Sequence, residues 1–415
     1  MKFSDFLFQT GTALTVKILG SASAFLLTVY VTRSMPQKEA GLFFLGLAVI
    51  NILSAVSRTG LDNTVIRFVS AKRESSITIM AKSLGLTSLT SLIVILPILA
   101  FSDAISIYLF NKPELAPTLF SIAPAILFFS YLMLLGGAAQ GMGNTSSSII
   151  IRNILPSLGF CILFYLNTKL SVFDAGFLYT LSCAITCLIG LIFFVKHSSG
   201  LNNEISWSEL ERSFKPLWAV AIMGQMAQMS GQFVSGIYCD PEDISVLAAA
   251  QRTAMLTSFI LIAVNLVVAP RFAKLFQEEK HHELERLAIN SVRMLLIITI
   301  PTITLVLIFA DLIMLIFGPT FEDGGDLLRI LALGQFMNAA AGSVGLLLSM
   351  TGHEKDLRNN TIVSGILALA LCITTIPFIG VYGAAVSTAV ATGIQNILGV
   401  IMVKKRLGFS TLKIY

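Results

Sequence analysis

Charged residues are scarce in this sequence. Asp, Glu, Lys and Arg make up 12% of the 415 residues, whereas hydrophobic residues make up 55%. Soluble globular chains carry roughly 25% charged residues, so the composition excludes an ordinary soluble domain. The connections between the apolar stretches are also too short to form a folded domain. The chain is therefore predicted to be an integral membrane protein.

Cysteine and histidine are few and dispersed. The five cysteines are Cys161, Cys183, Cys187, Cys239 and Cys372. Their scatter through apolar stretches excludes a disulfide framework. The four histidines all fall in predicted loops, and no Cys and His set has the spacing of metal ligands. We therefore predict neither a metal site nor a cofactor.

Catalytic signatures are absent as well. The sequence has no phosphate-binding loop of the G-x-x-x-x-G-K-[ST] type and no pair of catalytic carboxylates, so we predict no catalytic residues and no enzyme. Gly137 and Gly141 interrupt an apolar stretch at the spacing that lets membrane helices approach closely, which favours packing over nucleotide binding. A basic face with aromatic stacking residues, which nucleic-acid binding requires, is missing.

Apolar stretches long enough to cross the membrane dominate the chain. A hydrocarbon core of ~30 Å requires about 17 to 25 residues per helix. The stretches are 10–32, 39–57, 80–101, 118–141, 150–167, 174–195, 216–237, 246–270, 291–310, 327–350, 359–377 and 380–403. They predict an all-α fold of twelve transmembrane helices.

The second half of the chain repeats landmarks of the first after a nearly constant offset. The matching pairs are Gly20 and Gly224, Pro36 and Pro241, Arg67 and Arg271, Pro97 and Pro301, Asp103 and Asp311, and Arg152 and Arg358. A fixed period is the signature of internal duplication. We predict an N-terminal six-helix lobe at 1–200, an amphipathic cytoplasmic linker at 201–215 and a C-terminal six-helix lobe at 216–415.

The basic residues predict the orientation. Of the 28 lysines and arginines, five fall on the outer side, namely Arg33, Lys38, Lys112, Lys169 and Arg329. Lys17 and Arg252 lie within spans, and all others fall on the inner side. This is a strong positive-inside bias, so both termini are predicted to be cytoplasmic.

Polar side chains form a stripe in the first helix and another in the seventh. The first contains Thr10, Lys17, Ser21 and Thr28, and the second contains Gln225, Gln228, Gln232 and Ser235. Because polar groups in a bilayer face a bundle interior or a water-filled cavity, the stripes predict one central cavity. A mid-helix charge costs about 2.5 to 3.5 kcal/mol. That cost favours a functional role for Lys17 and Arg252, with snorkelling to the headgroups as the alternative.

Short motifs in a fixed order carry a family resemblance. Residues 60–68 read GLDNTVIRF and residues 265–272 read NLVVAPRF. Asp311 before IFG, GHEK at 352–355 and GVYGAA at 380–385 follow. Together they resemble the polysaccharide (O-antigen type) flippases of the multidrug/oligosaccharidyl-lipid/polysaccharide exporter superfamily, over essentially the whole chain.

The resemblance implies two pseudo-symmetric six-helix lobes around a central cavity that opens alternately to either side. It implies a monomeric transport unit in the bacterial inner membrane. The substrate would be an O-antigen or similar repeat unit on undecaprenyl pyrophosphate, moved from the cytoplasmic to the periplasmic leaflet. Membrane lipids and glycan-assembly proteins would be its other partners.

The implied substrate assigns roles to the polar residues. Cations suit its pyrophosphate, and the candidates are Lys17, Arg58 and Arg252. Neutral hydrogen-bonding groups suit its glycan, and the candidates are Gln225, Gln228, Gln232 and Gln251.

The absence of an acidic residue deep inside a span leaves ion coupling open. Asp62, at a helix end, is the nearest candidate. One alternative is a multidrug exporter of the same superfamily, whose cationic substrates would favour carboxylates over Lys17 and Arg252. A membrane-bound glycan polymerase or glycosyltransferase is the other. Such an enzyme should have a larger loop or paired carboxylates.

Overall fold

The computed structural model describes residues 3–71, 75–167, 171–198 and 206–412, with the backbone alone at 3–11, 13, 14 and 266. All regular structure within these ranges is helical. The α-helices are α1 (Phe3–Ser34), α2 (Gln37–Ser57), α3 (Leu61–Ala71), α4 (Ser76–Ala100), α5 (Ser102–Ala104), α6 (Leu115–Ile122), α7 (Ala125–Gly141), α8 (Thr145–Ile149), α9 (Leu155–Tyr165), α10 (Val172–His197), α11 (Trp207–Tyr238), α12 (Pro241–Leu256), α13 (Phe259–Gln277), α14 (His281–Ile308), α15 (Ala310–Met314), α16 (Gly325–Ala341), α17 (Val344–Met350), α18 (Glu354–Ile379) and α19 (Val381–Leu407). Two π-helical segments, Ile105–Leu109 and Ile150–Ile154, and one 3₁₀ segment, Pro319–Gly324, connect some of these helices.

The predicted membrane spans correspond to these helices. Among the described residues, ten helices are long and apolar enough to cross a membrane, or eleven if α6 and α7, bent by 44°, form one span. The predicted seventh span lies in α11, which is 32 residues long but contains Glu209, Arg212, Lys215 and three glutamines. The all-α, multi-pass architecture is therefore confirmed, and the expected twelve helices agree with it once α11 is included.

The internal repeat is visible in the helix boundaries. Helix α1 ends at Ser34 and α11 ends at Tyr238, and these two ends are separated by the repeat offset of 204 residues. Helices α4 and α14 contain the equivalent prolines Pro97 and Pro301 near their C-terminal ends. Equivalent sequences have thus produced equivalent helices in the two halves.

Contacts between Cα atoms divide the chain into two compact units. The N-unit contains residues 15–225 and 236–245, and the C-unit contains residues 1–14, 226–235 and 246–415. The division falls inside α1 and α11, the two repeat-equivalent helices, and inside α12. From Trp207 onward the predicted linker is the first part of α11. The lobe boundaries at 200 and 216 stay a prediction.

Each unit has its own hydrophobic core. In the N-unit, α2 is buried on most of its surface, and Phe43 stacks on Phe160 with ring centroids 5.2 Å apart. In the C-unit, Phe272 and Leu284, exposed by 1% and 0%, belong to one cluster. Burying such side chains contributes about 1.5 to 3 kcal/mol each relative to water, although lipid replaces water at the outer surface of membrane helices.

The two glycines predicted to allow close packing do so in the N-unit. A Cβ atom at Gly141 would lie 2.8 Å from the carbonyl oxygen of Ile66, and one at Gly137 would lie 3.5 Å from the carbonyl oxygen of Asp62. At Gly141, helix α7 therefore approaches α3 at a separation that requires glycine, whereas the contact of Gly137 with α3 is of ordinary length. These distances support the packing interpretation at Gly141.

A lysine holds the C-terminal end of α11 within the N-unit. Lys112 Nζ donates to the carbonyl oxygen of Gly236 over 2.7 Å and to that of Phe110 over 3.2 Å. Burial lowers the pKa of the Lys112 ammonium, and the nearby Asp240 and Cys239 act in the opposite direction. A cation at a helix C-terminus complements the helix dipole.

Candidate substrate-binding site

The turn between α2 and α3, residues 58–60, brings together two of the predicted site residues. Thr59 and Gly60 adopt φ values of 49° and 84°, a left-handed conformation that is unfavourable for a β-branched residue such as threonine. A Cβ at Gly60 would lie 2.5 Å from the carbonyl oxygen of Phe214 and 2.6 Å from the amide nitrogen of Trp218. The turn therefore packs directly against the backbone of α11, and glycine is required there.

Arg58 and Asp62 form an ion pair across this turn. Arg58 Nε lies 2.8 Å from Asp62 Oδ1, and Arg58 Nη1 donates to Ser54 Oγ over 3.0 Å. The Arg58 side chain is 8% exposed and that of Asp62 is 26% exposed. Removing one partner of such a pair leaves a poorly solvated charge. The candidate for phosphate binding and the candidate for coupling are therefore one electrostatic unit.

A second guanidinium, which the sequence analysis did not select as a site residue, lies beside this pair. Arg152 is close enough to Asp62 and Arg58 to interact electrostatically with both. Its Nε and Nη2 donate to the carbonyl oxygen of Met133 over 3.1 and 2.7 Å. Two features of the sequence could have pointed to Arg152 as a site residue. It is a landmark of the internal repeat, and Gly136 and Gly137 leave space for a side chain beside α7.

A hydrogen bond from α11 anchors the other side of the turn. Trp218 Nε1 donates to the carbonyl oxygen of Val56 over 3.1 Å. The hydroxyls of Thr64 and Ser213 lie 3.1 Å apart. These contacts belong to the N-unit, and they fix the first turns of α11 to the structure that holds Arg58.

The polar stripe of α1 is only partly buried in the N-unit. Lys17 is exposed and Ser21 is half-buried. Thr28 is 1% exposed and donates to the Ala24 carbonyl oxygen over 3.1 Å. Thr10 lies outside the described side chains.

The polar residues predicted for the second half differ in their exposure. Gln225 belongs to the N-unit and is half-buried, whereas in the C-unit Gln228 is exposed and Gln232 is 8% exposed. Arg252 is half-buried in α12.

Gln251 carries an unsatisfied donor in the C-unit. Its Nε2 is buried, and within the described part of the chain it has no hydrogen-bond partner. A Cβ at Gly231 would lie 3.4 Å from both this nitrogen and Thr388 Oγ1. A buried, unpaired amide costs about 1 to 3 kcal/mol, so this position favours a ligand or water that accepts a hydrogen bond.

Metal ligands are not grouped in the described ranges. No set of three or more His, Cys, Asp or Glu side chains lies close enough there to hold a metal ion.

Comparison with known families identifies the chain. The family model described as polysaccharide biosynthesis protein matches residues 7–276. This chain belongs to that family. The resemblance seen in the sequence motifs is thereby confirmed. A second model, described as MatE, matches residues 216–374. The match to the polysaccharide biosynthesis protein model covers the whole N-unit and part of the C-unit.

A curated relative extends the similarity over most of the chain. A probable low-salt glycan biosynthesis flippase from Haloferax volcanii is 24% identical over 395 residues, which cover 92% of this chain and 80% of the relative.

Solved structures show the same fold at low identity. An inward-facing multidrug resistance MATE family transporter of the MOP superfamily superposes with a TM-score of 0.76 and 16% identity, covering 96% of this chain and 98% of the transporter. Lipid II flippase MurJ, in an inward closed conformation, gives a TM-score of 0.75 and 16% identity, covering 96% and 87%. The polysaccharide biosynthesis protein family and these transporters therefore share one helical architecture.

Proposed function

We propose that this protein is a flippase that moves lipid-linked oligosaccharide repeat units across the membrane by alternating access. The proposed substrate is an O-antigen or similar glycan on undecaprenyl pyrophosphate, and the proposed direction is from the cytoplasmic to the periplasmic leaflet. The family match and the named activity of the Haloferax relative support this proposal.

The single observation that carries the proposal is the sign of the charges that lie away from the ends of the membrane helices. The acidic residues Glu39, Asp174 and Asp243 lie in the first turns of α2, α10 and α12. Lys17 in α1, Arg152 within the span Thr145–Tyr165 and Arg252 in α12 are all basic. Asp62 is paired with Arg58 and does not offset them. A pyrophosphate is anionic and requires cations in a site of low polarity. This charge pattern supports an anionic substrate.

A multidrug exporter is the second candidate, because the MatE model matches residues 216–374. Organic cations bind best near carboxylates. The basic groups oppose such a substrate, so the flippase is the better interpretation. Drug susceptibility of a deletion strain separates the two, since an exporter would protect the cell without any effect on surface glycan.

Roles for the remaining candidates follow from the chemistry of the substrate. Lys17 and Arg252 would bind the pyrophosphate. Gln232 and Gln251 would donate to the glycan, and the unpaired Nε2 of Gln251 supports this role. For coupling, Asp62 is the candidate, since its ion pair with Arg58 links it to a guanidinium that could bind the substrate.

The cellular setting is part of the proposal. The distribution of basic residues supports cytoplasmic termini, and the proposed location of this multi-pass protein is the bacterial inner membrane. We propose a monomeric transport unit that receives its substrate from glycan-assembly proteins.

Replacement of the two membrane-embedded cations tests the proposal. Lys17→Ala and Arg252→Ala should each strongly reduce surface glycan at normal protein level, with lipid-linked repeat units accumulating on the cytoplasmic side. A pair of opposite charges at ~4 Å is worth about 4 kcal/mol near a protein surface before desolvation. Lys17→Arg and Arg252→Lys should retain part of the activity. Wild-type glycan display by both alanine variants would show that these cations do not bind the substrate.

The matched control is Lys38→Ala. Lys38 pairs with Glu114 over 2.6 Å, and both side chains are about half exposed (46% and 57%). Loss of an exposed ion pair has little effect on stability because solvent screens it, so this variant should display wild-type glycan.

A further inference from the structure

Arg152 lies in a π-helical turn of a membrane-spanning segment. The segment Ile150–Ile154 is π-helical and connects α8 to α9. Arg152 follows Thr145, the first residue of this span, by about 10 Å along the helix. A π turn is rare and often marks a functional site, since it reorients the side chains around it. Here it directs a guanidinium into the N-unit.

Helix α7 provides a groove for this side chain. A Cβ at Gly136 would lie 2.5 Å from Arg152 Cγ, and a Cβ at Gly137 would lie 2.9 Å from Arg152 Nη2. With two glycines removing side-chain bulk, the guanidinium reaches the Met133 carbonyl oxygen through Nε and Nη2. In the described part of the chain, Nη1 makes no hydrogen bond of its own, so one edge of the guanidinium remains available.

The cluster of Arg58, Asp62 and Arg152, which we term the elbow cluster, has one positive charge in excess. Asp62 pairs with Arg58, and Arg152 bonds only a neutral carbonyl within the described ranges. The position of a Cβ at Gly137 lies 2.9 Å from Arg152 Nη2 and 3.5 Å from the Asp62 carbonyl oxygen. The two halves of the cluster are therefore adjacent. An unbalanced charge at this depth is costly without an anion.

The second copy of the repeat lacks this arrangement. Arg358, the equivalent of Arg152, lies near the start of α18, which is a regular α-helix. It is half-buried, like Arg152. The same Arg-Asn dipeptide thus lies in a π turn in the first copy and in a regular helix in the second, which makes Arg358 a matched control.

We propose that the elbow cluster is a phosphate-binding site in which Arg152, assisted by Arg58, holds one phosphate group of a membrane lipid. Guanidinium groups bind phosphate through paired, charge-assisted hydrogen bonds. The phosphate belongs either to the pyrophosphate of the lipid-linked substrate or to an anionic phospholipid headgroup. The first source rests on the proposed function, and the second does not.

Equilibrium binding to the purified full-length protein in detergent tests this site. The probes are radiolabelled undecaprenyl pyrophosphate, phosphatidylglycerol and inorganic pyrophosphate. Arg152→Gln should weaken binding of the lipid probe by about tenfold to a hundredfold, the range for one hydrogen-bonded charge. Arg358→Gln should bind as the wild type does. Arg152→Lys should fold in the same groove and retain intermediate affinity, which guards against misfolding of the glutamine variant.

Asp62→Asn distinguishes binding from a structural role. Removal of the Asp62 carboxylate raises the excess positive charge of the elbow cluster and frees Arg58 from its ion pair. The affinity for inorganic pyrophosphate and for the lipid probes should therefore increase several-fold. A purely structural cluster would lose affinity or stay unchanged, and that result would count against the proposal.

The outcomes separate this site from the proposed function. Arg152-dependent binding of undecaprenyl pyrophosphate that inorganic pyrophosphate displaces supports a substrate site. Arg152-dependent binding of phosphatidylglycerol, with none of undecaprenyl pyrophosphate, supports a lipid-headgroup site while opposing the flippase. Equal binding by wild type, Arg152→Gln and Arg152→Lys, or no binding of any probe by the wild type, would overturn the inference.

Discussion

The close approach of α7 to α3 provides a stability prediction with an internal control. Gly141→Ala should destabilise the protein although alanine favours a helix over glycine by about 1 kcal/mol. The new Cβ would lie 2.8 Å from the Ile66 carbonyl oxygen and 3.0 Å from Val69 Cβ. Both atoms are fixed by the backbone, so no rotamer change relieves the contact. Optimal contacts between carbon atoms are about 3.5 to 4.0 Å.

The magnitude follows from two opposing effects. Overpacking a tight contact costs about 1 to 3 kcal/mol, which exceeds or offsets the helix-propensity gain, so Gly141→Ala should lower stability by up to about 2 kcal/mol. Gly85→Ala is the control, because a Cβ there meets nothing within 4 Å. It lies within α4 and is exposed, so it should raise stability by about 0.5 to 1 kcal/mol.

The measurement is denaturant-induced unfolding of the purified variants in detergent micelles. Trp207 and Trp218 are the two tryptophans of the chain, and Trp218 bonds to the N-unit backbone at Val56. Tryptophan fluorescence therefore reports on the unit that contains both substitutions. Opposite shifts of the unfolding midpoint are expected. Equal or greater stability of Gly141→Ala relative to Gly85→Ala would refute the packing argument.

Three further predictions concern the ion pair between Arg58 and Asp62, the equivalent prolines of α4 and α14, and the orientation of the protein in the membrane. Arg58→Leu and Asp62→Leu should each destabilise the protein by about 1 to 3 kcal/mol, since each leaves a poorly solvated charge. In a double-mutant cycle measured by unfolding, the double variant should recover part of this loss. Additive losses would show that the two side chains do not stabilise each other. Pro97→Ala with Pro301→Ala should slow glycan export at normal protein level if the prolines serve as hinges, and unchanged export would mean that they are fixed kinks. In a cysteine-free background, single cysteines replacing the exposed Asp240 and Asp323 should react with an impermeant thiol reagent in intact cells. A cysteine replacing the exposed Glu279 should react only after permeabilisation, and the reverse pattern would invert the proposed direction of transport.

Local sequence determined the helices because hydrophobicity and helix length are properties of short segments. The apolar stretches predicted the crossing helices, and the repeated landmarks predicted a second copy of the first half. Helices α1 and α11 agree with that prediction, since they end at Ser34 and Tyr238, 204 residues apart. The ends of α11 were less well predicted. The predicted span began at residue 216, whereas the helix begins at Trp207. The predicted amphipathic linker forms the first turns of this helix, and Ser213 in these turns contacts Thr64 of α3.

The site was only partly accessible to sequence reasoning. Arg58 and Asp62 were selected separately from the sequence. Their ion pair depends on the turn at Thr59 and Gly60, which has positive φ values and packs against α11. In the sequence, Arg152 was recognised only as a landmark of the internal repeat, which indicated no functional role for it. Its position depends on a π turn and on the glycine groove of a helix that precedes it in sequence. Hydrophobicity and residue spacing are properties of the sequence itself, so they predict the helices. The pairing of charged side chains depends on how the helices pack, and only the tertiary structure determines it.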